Sequence, residues 1–364
     1  MKKVLLGTSA LIAAGLLAAP ASAAEKIKLG LGGKMEQYFG VVSQDDAPGY
    51  DPTLTGINTD TEVYFSGATT LDNGLTVGAM IQLEAQTNAT AENADEQYAY
   101  IEGAFGRVMA GQMDGVLTRL AHEAPQYGLA DDDVAAFFNP AAALGGGYAR
   151  LVDTTLQSSD GAAVSYISPS LAGFSVGATF MPNPGGAIGN TVSSALQADS
   201  EDDFHNQWEA AVAYNGEFSG VQIGADLAYM QQSAPDAGNL EDPSAWRAGL
   251  IVGYAGFQVG GSYLTLQDRN GVDGLDSNVW NAGIGYKTGP YGVSLVYLQS
   301  DVELAGAGND DAEYRQWSLH GSYAMGPGVT LAAVLFHGTG ELDAAGADND
   351  TDATGGIVGL QLSF

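Results

Sequence analysis

Residues 75–84, LTVGAMIQLE, decide the fold class, because apolar side chains alternate along them with polar or small ones. The apolar side chains would share one side of an extended chain: Leu75, Val77, Ala79, Ile81 and Leu83. A period of two predicts a β-strand, and about ten tilted residues of this kind can cross a bilayer. The same alternation recurs at residues 221–229, 246–254 and 357–364, so it belongs to the whole chain.

The connections between such stretches fall into two size classes that alternate along the chain. The short ones carry tight-turn chemistry, as in Asp72-Asn73-Gly74. The long ones are rich in Asp, Asn, Gly and Pro: 43–57, 88–95, 114–160, 182–204, 233–243, 268–277, 301–312 and 339–352. Seven short turns and eight long loops would join sixteen strands. This sorting favours an all-β, transmembrane, antiparallel up-and-down β-barrel over a soluble β-sandwich, which has no reason to sort its loops.

Composition excludes several classes of protein. Among 364 residues there are 43 acidic and 12 basic side chains, and a net charge of −31 argues against nucleic acid as a partner. With 45% hydrophobic and 15% charged residues, the chain is too apolar for a disordered acidic protein. The absence of cysteine excludes disulfides, thiolate metal ligands and a thiol nucleophile.

The first residues match an export signal. Lys2 and Lys3 precede an apolar stretch at residues 4–19, and Pro20 is followed by the small-x-small sequence of residues 21–23. We therefore expect residues 1–23 to be a cleaved signal peptide and residues 24–364 to form a single barrel domain. An uncleaved anchor helix is the less favoured alternative, since the apolar stretch is short for a membrane span.

The third long connection, residues 114–160, exceeds any ordinary hairpin loop and is typical of a functional or a disordered segment. Its apolar and aromatic residues argue against disorder: Leu117, Leu120, Tyr127, Val134, Phe137, Phe138, Leu144 and Leu151. A sixteen-stranded barrel encloses an aqueous space that side chains alone cannot fill. A loop folded inward would narrow that space.

Several short motifs resemble those of the trimeric general porins of Gram-negative outer membranes, in particular those of purple bacteria. The motifs occur in the expected order along the chain: KIKLGLGG at 26–33, LDNGLTVGA at 71–79, QYAYIEG at 97–103, FGR at 105–107, AGQMD at 110–114 and the terminal Phe364. The resemblance implies that the loop at 114–160 folds into the pore and that small hydrophilic solutes and ions diffuse passively through it. It also implies a homotrimer in the outer membrane, in contact with lipid and lipopolysaccharide, whose Phe364 is recognised by the barrel assembly machinery.

Candidate pore residues follow from the loop and from strand alternation. The acidic side of the constriction would be formed by Asp114, Glu123, Asp131, Asp132, Asp133 and Asp153. The basic residues predicted to face the lumen from the wall are Lys28, Lys34 and Arg247. A field between these two sets would orient dipolar solutes. Since acids outnumber bases, we expect a preference for cations. Many porins have arginine where this sequence has Gln112, which would weaken the basic side.

The sequence also allows functions other than a general channel. A sugar-selective channel on the same barrel is possible, because Tyr64, Tyr98 and Tyr100 have the spacing of lumen-facing residues. A hydrolase in the barrel wall is disfavoured by the absence of a Gly-x-Ser-x-Gly or His-Glu-x-x-His motif. The acidic loops could hold Ca²⁺, but residues 348–352 lack the EF-hand pattern, and no other cofactor is expected.

Overall fold

The computed structural model describes residues 26–46, 50–85, 94–144, 148–155, 161–182, 184, 204–235, 239–304, 310–344 and 347–364. The predicted signal peptide lies outside these residues. The strands are β1 (Gly30–Gln44), β2 (Thr55–Thr70), β3 (Thr76–Glu84), β4 (Ala94–Gly103), β5 (Gly106–Gln112), β6 (Ala162–Ile167), β7 (Phe174–Met181), β8 (His205–Phe218), β9 (Val221–Ser233), β10 (Ser244–Tyr254), β11 (Phe257–Gln267), β12 (Ser277–Thr288), β13 (Tyr291–Glu303), β14 (Asp311–Gly326), β15 (Val329–Ala344) and β16 (Ala347–Ser363). Three short helices follow β5: α1 (Val116–Arg119), α2 (Asp131–Ala135) and α3 (Pro140–Leu144). None of the helices in the described ranges is long and apolar enough to span a bilayer.

The sixteen strands form one closed antiparallel barrel in which each strand pairs with its neighbours along the chain. The barrel closes between β1 and β16, in a register that runs from Lys34 opposite Ser363 to Gln44 opposite Ala353. Closure leaves no strand edge with unpaired backbone groups facing lipid. The predicted fold class is confirmed.

Strand alternation separates the two faces of the wall. Along β10, Trp246 and Leu250 point outward and are exposed, whereas Ala245 and Arg247 point inward and are buried. The outward residues of most strands are large and apolar. Such a surface fits hydrocarbon and not water.

Aromatic side chains form two belts on the outer face. Near the ends joined by long loops, the paired rings are Phe180–Trp208, Tyr229–Trp246, Trp280–Tyr297 and Tyr297–Trp317. Near the short turns they are Phe174–Tyr214, Phe257–Tyr286 and Tyr291–Tyr323. Belts at two levels are typical of residues that lie at the two membrane interfaces. All these pairs lie on β7–β14.

The outer face of β3–β6 is different, because small residues replace the large ones. A depression of about 380 Å³ is lined there by Ala79, Ile81, Ala99, Ala110 and Ala162, among others. Gln97 and Gln112, which oppose each other on β4 and β5, are hydrogen-bonded beside it. Gln112 thus lies on the outer face and is not part of the pore.

The connections largely follow the predicted pattern. In the turn after β2, the Gly74 N–H bonds to the Leu71 carbonyl, and Gly74 has a φ of +83°, which favours glycine. One prediction is wrong: residues 339–352 are not a long loop, because β15 extends to Ala344 and β16 begins at Ala347. The extended strands are stabilised by Leu342, which packs inside the barrel against Tyr148 and Ala312.

Candidate functional site: the loop inside the barrel

The loop that begins at Asp114 turns into the barrel and follows its inner wall. At its start, the Val116 N–H bonds to Thr179 Oγ1 of β7 at 3.1 Å and the Leu117 N–H to Glu209 Oε2 of β8 at 3.3 Å. Further along, the Ala124 N–H bonds to Asn281 Oδ1 of β12 at 3.2 Å. The Tyr127 N–H bonds to Ser294 Oγ of β13 at 3.1 Å. Inward polar side chains of successive strands thus satisfy the backbone of this outgoing arm, residues 114–138.

A second segment, the returning arm (residues 148–155), runs back along the same wall. The Tyr148 hydroxyl donates to the Glu313 carbonyl at 3.1 Å, and the Leu151 N–H bonds to Ser300 Oγ at 2.9 Å. Arg150 donates to the carbonyls of Ala135 and Phe138, which ties the returning arm to the outgoing one. Both arms of the predicted loop therefore lie against the wall and are bonded to each other.

Apolar packing fixes this lining. Val116, Leu117, Leu129, Val134 and Phe138 are buried in one cluster with inward-facing strand residues. Phe138 is accommodated over Gly338 of β15, where an added Cβ would lie 2.8 Å from its ring. The arrangement explains why a segment without long helices or strands is ordered.

The three consecutive aspartates of α2 have different environments. Asp132 is exposed and Asp133 half-buried, whereas Asp131 is only 3% exposed. Asp131 accepts hydrogen bonds from Gln126 Nε2 at 2.9 Å and from Gln316 Nε2 at 3.2 Å, on the wall side of the loop. Burial raises the pKa of Asp131 to about 8. Burial and the charges of Asp132 and Glu36 raise the pKa of Asp133 to about 7.

The other predicted acids lie along both arms. Burial and the neighbouring Glu96 raise the pKa of Asp114 to about 6, and burial and the charge of Glu123 raise that of Asp153 to about 7. Asp153 accepts the Thr155 N–H at 2.6 Å, and Glu123 accepts the Thr154 hydroxyl. Burial also raises the pKa of Glu123. The structure does not collect these acids in one ring.

The three predicted basic residues lie in different environments. Lys34 faces the lumen from β1 and forms ion pairs with Asp60 at 2.7 Å and Glu62 at 2.8 Å. Arg247 faces inward from β10 but is covered completely by the loop. Lys28 lies on an exposed stretch before β1.

A second set of acids, on the wall of β1–β4, was missed by sequence reasoning. Its members point inward by strand alternation: Glu36, Asp60, Glu62, Glu84 and Glu96. Carboxylate oxygens of Asp60, Glu62 and Glu84 lie within 4.8 Å of one another. The signal was present in residues 58–64, where Asn, Asp, Glu and Tyr alternate with Thr and Val on the outward side.

The tyrosines that suggested a sugar channel are held by charged partners. The Tyr64 hydroxyl donates to Glu62 Oε2 at 2.5 Å, and the Arg119 guanidinium lies 5.1 Å above the Tyr98 ring. Arg119 also pairs with Glu96 at 2.5 Å. The segment at 348–352 that was considered for Ca²⁺ lies in β16 and not in a loop.

Comparisons with known proteins agree with this architecture. The sequence model of a family described as Gram-negative porin matches residues 7–344. Comparison with curated proteins gives no match. Among solved structures, the chain is similar to an anion-selective porin from Comamonas acidovorans, with a TM-score of 0.62, 17% identity and coverage of 93% of this chain and 100% of that one. It is also similar to the trimer form of OmpT, an outer membrane protein of Vibrio cholerae (TM-score 0.61, 12% identity, 94% and 100% covered). Salmonella typhi OmpF in complex with daunomycin gives a TM-score of 0.59, at 17% identity with 93% and 98% covered.

Proposed function

The chain belongs to the Gram-negative porin family and is an outer-membrane channel, and from this premise we propose that it conducts small hydrophilic solutes and ions passively, with a preference for cations. The observation that supports the preference is the presence of acids on both sides of the passage. The wall contributes Asp60, Glu62 and Glu84, and the loop contributes Asp132 and Asp133. Charge lining a narrow aqueous pore selects ions of the opposite sign.

The basic side chains near these acids offset them only in part. Lys34 is shared between Asp60 and Glu62, and Arg119 is paired with Glu96. Each base is thus already engaged by at least one carboxylate. The Comamonas porin has the same fold but is anion-selective, so the preference depends on the lining and not on the barrel.

The proposal is tested by reconstituting the purified protein in planar bilayers. We expect stepwise conductance increments and, in a KCl gradient, a reversal potential of the sign that K⁺ permeation produces. The preference should weaken as salt rises, because the Debye length falls to about 3 Å at 1 M. Conductance with a reversal potential of the opposite sign would refute the cation preference alone, whereas electrically silent membranes would refute the channel.

Neither alternative function is favoured by a specific observation. Of the tyrosines expected of a sugar path, Tyr64 donates its hydroxyl to Glu62, and the guanidinium groups of Arg119 and Arg107 lie over the rings of Tyr98 and Tyr100. We therefore propose a channel without substrate turnover and without a resident cofactor. We also propose that the N-terminal signal directs export of the chain and that the barrel contacts lipid and lipopolysaccharide.

We further propose a homotrimer whose interface includes the outer face of β3–β6. Two features support this assignment: the paired aromatic rings lie on β7–β14, and small residues around the Gln97–Gln112 pair would let another wall approach closely. A polar pair facing hydrocarbon would be costly, whereas it can be matched by a second copy.

Ala99→Trp should therefore weaken the trimer, because the indole would fill the depression that a neighbouring subunit needs. Ala248→Trp on the outward face of β10 is the matched control and should leave assembly intact. Mass measurement of the detergent-solubilised barrels by light scattering distinguishes monomers from trimers. If both variants remain trimeric, β3–β6 is not the interface.

A further inference from the structure

Arg247 is a fully buried cation between the barrel wall and the loop. Its Nε–H donates to the Thr154 carbonyl at 2.8 Å, and its Nη2 donates to the His122 carbonyl at 2.8 Å. Its Nη1 forms an ion pair with the Asp226 carboxylate, which is also buried. His122 belongs to the outgoing arm and Thr154 to the returning arm, so one guanidinium holds both.

Asp226 completes this arrangement from β9. Its Oδ1 accepts the His122 N–H at 2.7 Å and lies 3.2 Å from His122 Nδ1. The other ring nitrogen of His122 lies 2.9 Å from Asn215 Oδ1 of β8. His122 is therefore fixed through its backbone N–H, its carbonyl and both ring nitrogens.

The two arms also contact each other at this point. The Thr154 hydroxyl bonds to Glu123 and lies 2.6 Å from Ser262 Oγ of β11. Arg247 Nη2 lies 3.9 Å from Glu123 Oε1. Arg247 is fully buried, whereas Glu123 is partly exposed beside the passage. The position of the Glu123 carboxylate therefore depends on how the two arms are held at Arg247.

Gly249 shows how closely the outgoing arm approaches the wall. It is inward-facing on β10, two residues after Arg247, and an added Cβ would lie 2.0 Å from the His122 carbonyl oxygen. That oxygen is the one that Arg247 binds. A methyl group at Gly249 would therefore displace the arm without removing any charge.

We propose that Arg247 is the positioning residue of the constriction: by binding the His122 and Thr154 carbonyls together, it sets how far both arms extend into the passage. The inference rests on the proposed channel function and assigns Arg247 a role different from that of a pore-lining base. The guanidinium binds the two carbonyls and the carboxylate through three separate nitrogens that are fixed in one plane, whereas the donors of lysine all lie on a single nitrogen.

The barrel itself does not depend on these contacts. β10 is paired along its length with β9 and β11 through backbone hydrogen bonds, from Ser244 to Gly253 on one side and to Tyr254 on the other. Loss of the guanidinium should thus release the arms and leave the wall closed.

The test compares three variants of the full-length protein in planar bilayers and in liposome swelling with sugars of increasing size. Arg247→Met, combined with Asp226→Asn so that no buried charge is left alone, should lower single-channel conductance by roughly 1.5- to 2-fold and exclude the larger sugars, because arms released from the wall move into the passage. Arg247→Lys should give an intermediate value with noisier open-channel current. Gly249→Ala, which keeps every charge, should change conductance in the same direction as the double variant.

Gly253→Ala is the control, since an added Cβ on the same face of β10 meets only the flexible side chains of Gln222 and Gln258 at 3.3 Å or more. Its conductance should match that of the wild type. Folding of every variant is checked by the heat-dependent shift of barrel mobility in gel electrophoresis. Unchanged conductance and size limit in folded Arg247→Met/Asp226→Asn and Gly249→Ala would overturn the positioning role, whereas a silent wild type would instead overturn the channel.

Discussion

Replacing Asp60, Glu62 and Glu84 together, by Asn, Gln and Gln, is expected to lower the K⁺/Cl⁻ permeability ratio by about tenfold and to bring the channel close to anion preference. A unit charge about 7 Å from a permeating ion contributes about 0.6 kcal/mol in water, with opposite sign for a cation and an anion. Three such charges act together here, although salt reduces their effect. The same replacements also remove both partners of Lys34, which then presents an unopposed positive charge to the passage.

The measurement is the reversal potential in a KCl gradient at pH 8. At this pH Asp133 is largely ionised, because its pKa is raised to about 7; its carboxyl becomes increasingly protonated, and so uncharged, as the pH falls below that value. A control with the same change in net charge is Asp301→Asn, Asp311→Asn and Asp343→Asn, since strand alternation places these residues on the outer face. If the control changed the ratio as much as the wall variant, selectivity would depend on overall charge and not on the lumen.

Leu250→Lys is expected to lower the free energy of unfolding by about 2–4 kcal/mol, the cost of a lysine near the middle of a bilayer. Leu250 is 51% exposed on the outward face of β10, in the central part of the strand. The control is Ile251→Lys, because the next residue along the strand faces the aqueous side and its ammonium can be hydrated. Urea unfolding in lipid vesicles measures both variants. Equal losses at the two positions would contradict the assignment of lipid-facing and lumen-facing sides.

Much of the fold could be predicted from the sequence because each level of structure had a local signal. Alternation in residues 75–84 defines a strand and its two faces, and the sorting of connections gives the strand number. The last loop was mispredicted because Asp, Asn and Gly in residues 339–352 are typical of loops. In the structure residues 339–344 and 347–352 are held in strands by pairing with each other, residues 339–343 also pair with β14, and Leu342 packs inward.

The candidate site was harder to predict, since its residues are defined by contacts distant in sequence. Asp131 and Asp132 are adjacent, but about 100° separates neighbouring side chains in a helical turn, so one faces the wall and the other the passage. Alternation placed Arg247 inward correctly, yet its burial depends on Thr154, 93 residues away in the chain. The wall acids at Asp60 and Glu62 were predictable from alternation alone.

The seam between β1 and β16 has a consequence for biogenesis. The segments that seal the cylinder are those furthest apart along the polypeptide, so their pairing has the highest contact order in the molecule and the largest loop-closure entropy. We expect this pairing to form last during insertion, and until it forms the backbone N–H and C=O groups along the facing edges of β1 and β16 lack partners. A nascent protein lacking its final hairpin would stay open-sided, vulnerable to aggregation and to periplasmic proteolysis however well its other strands had formed.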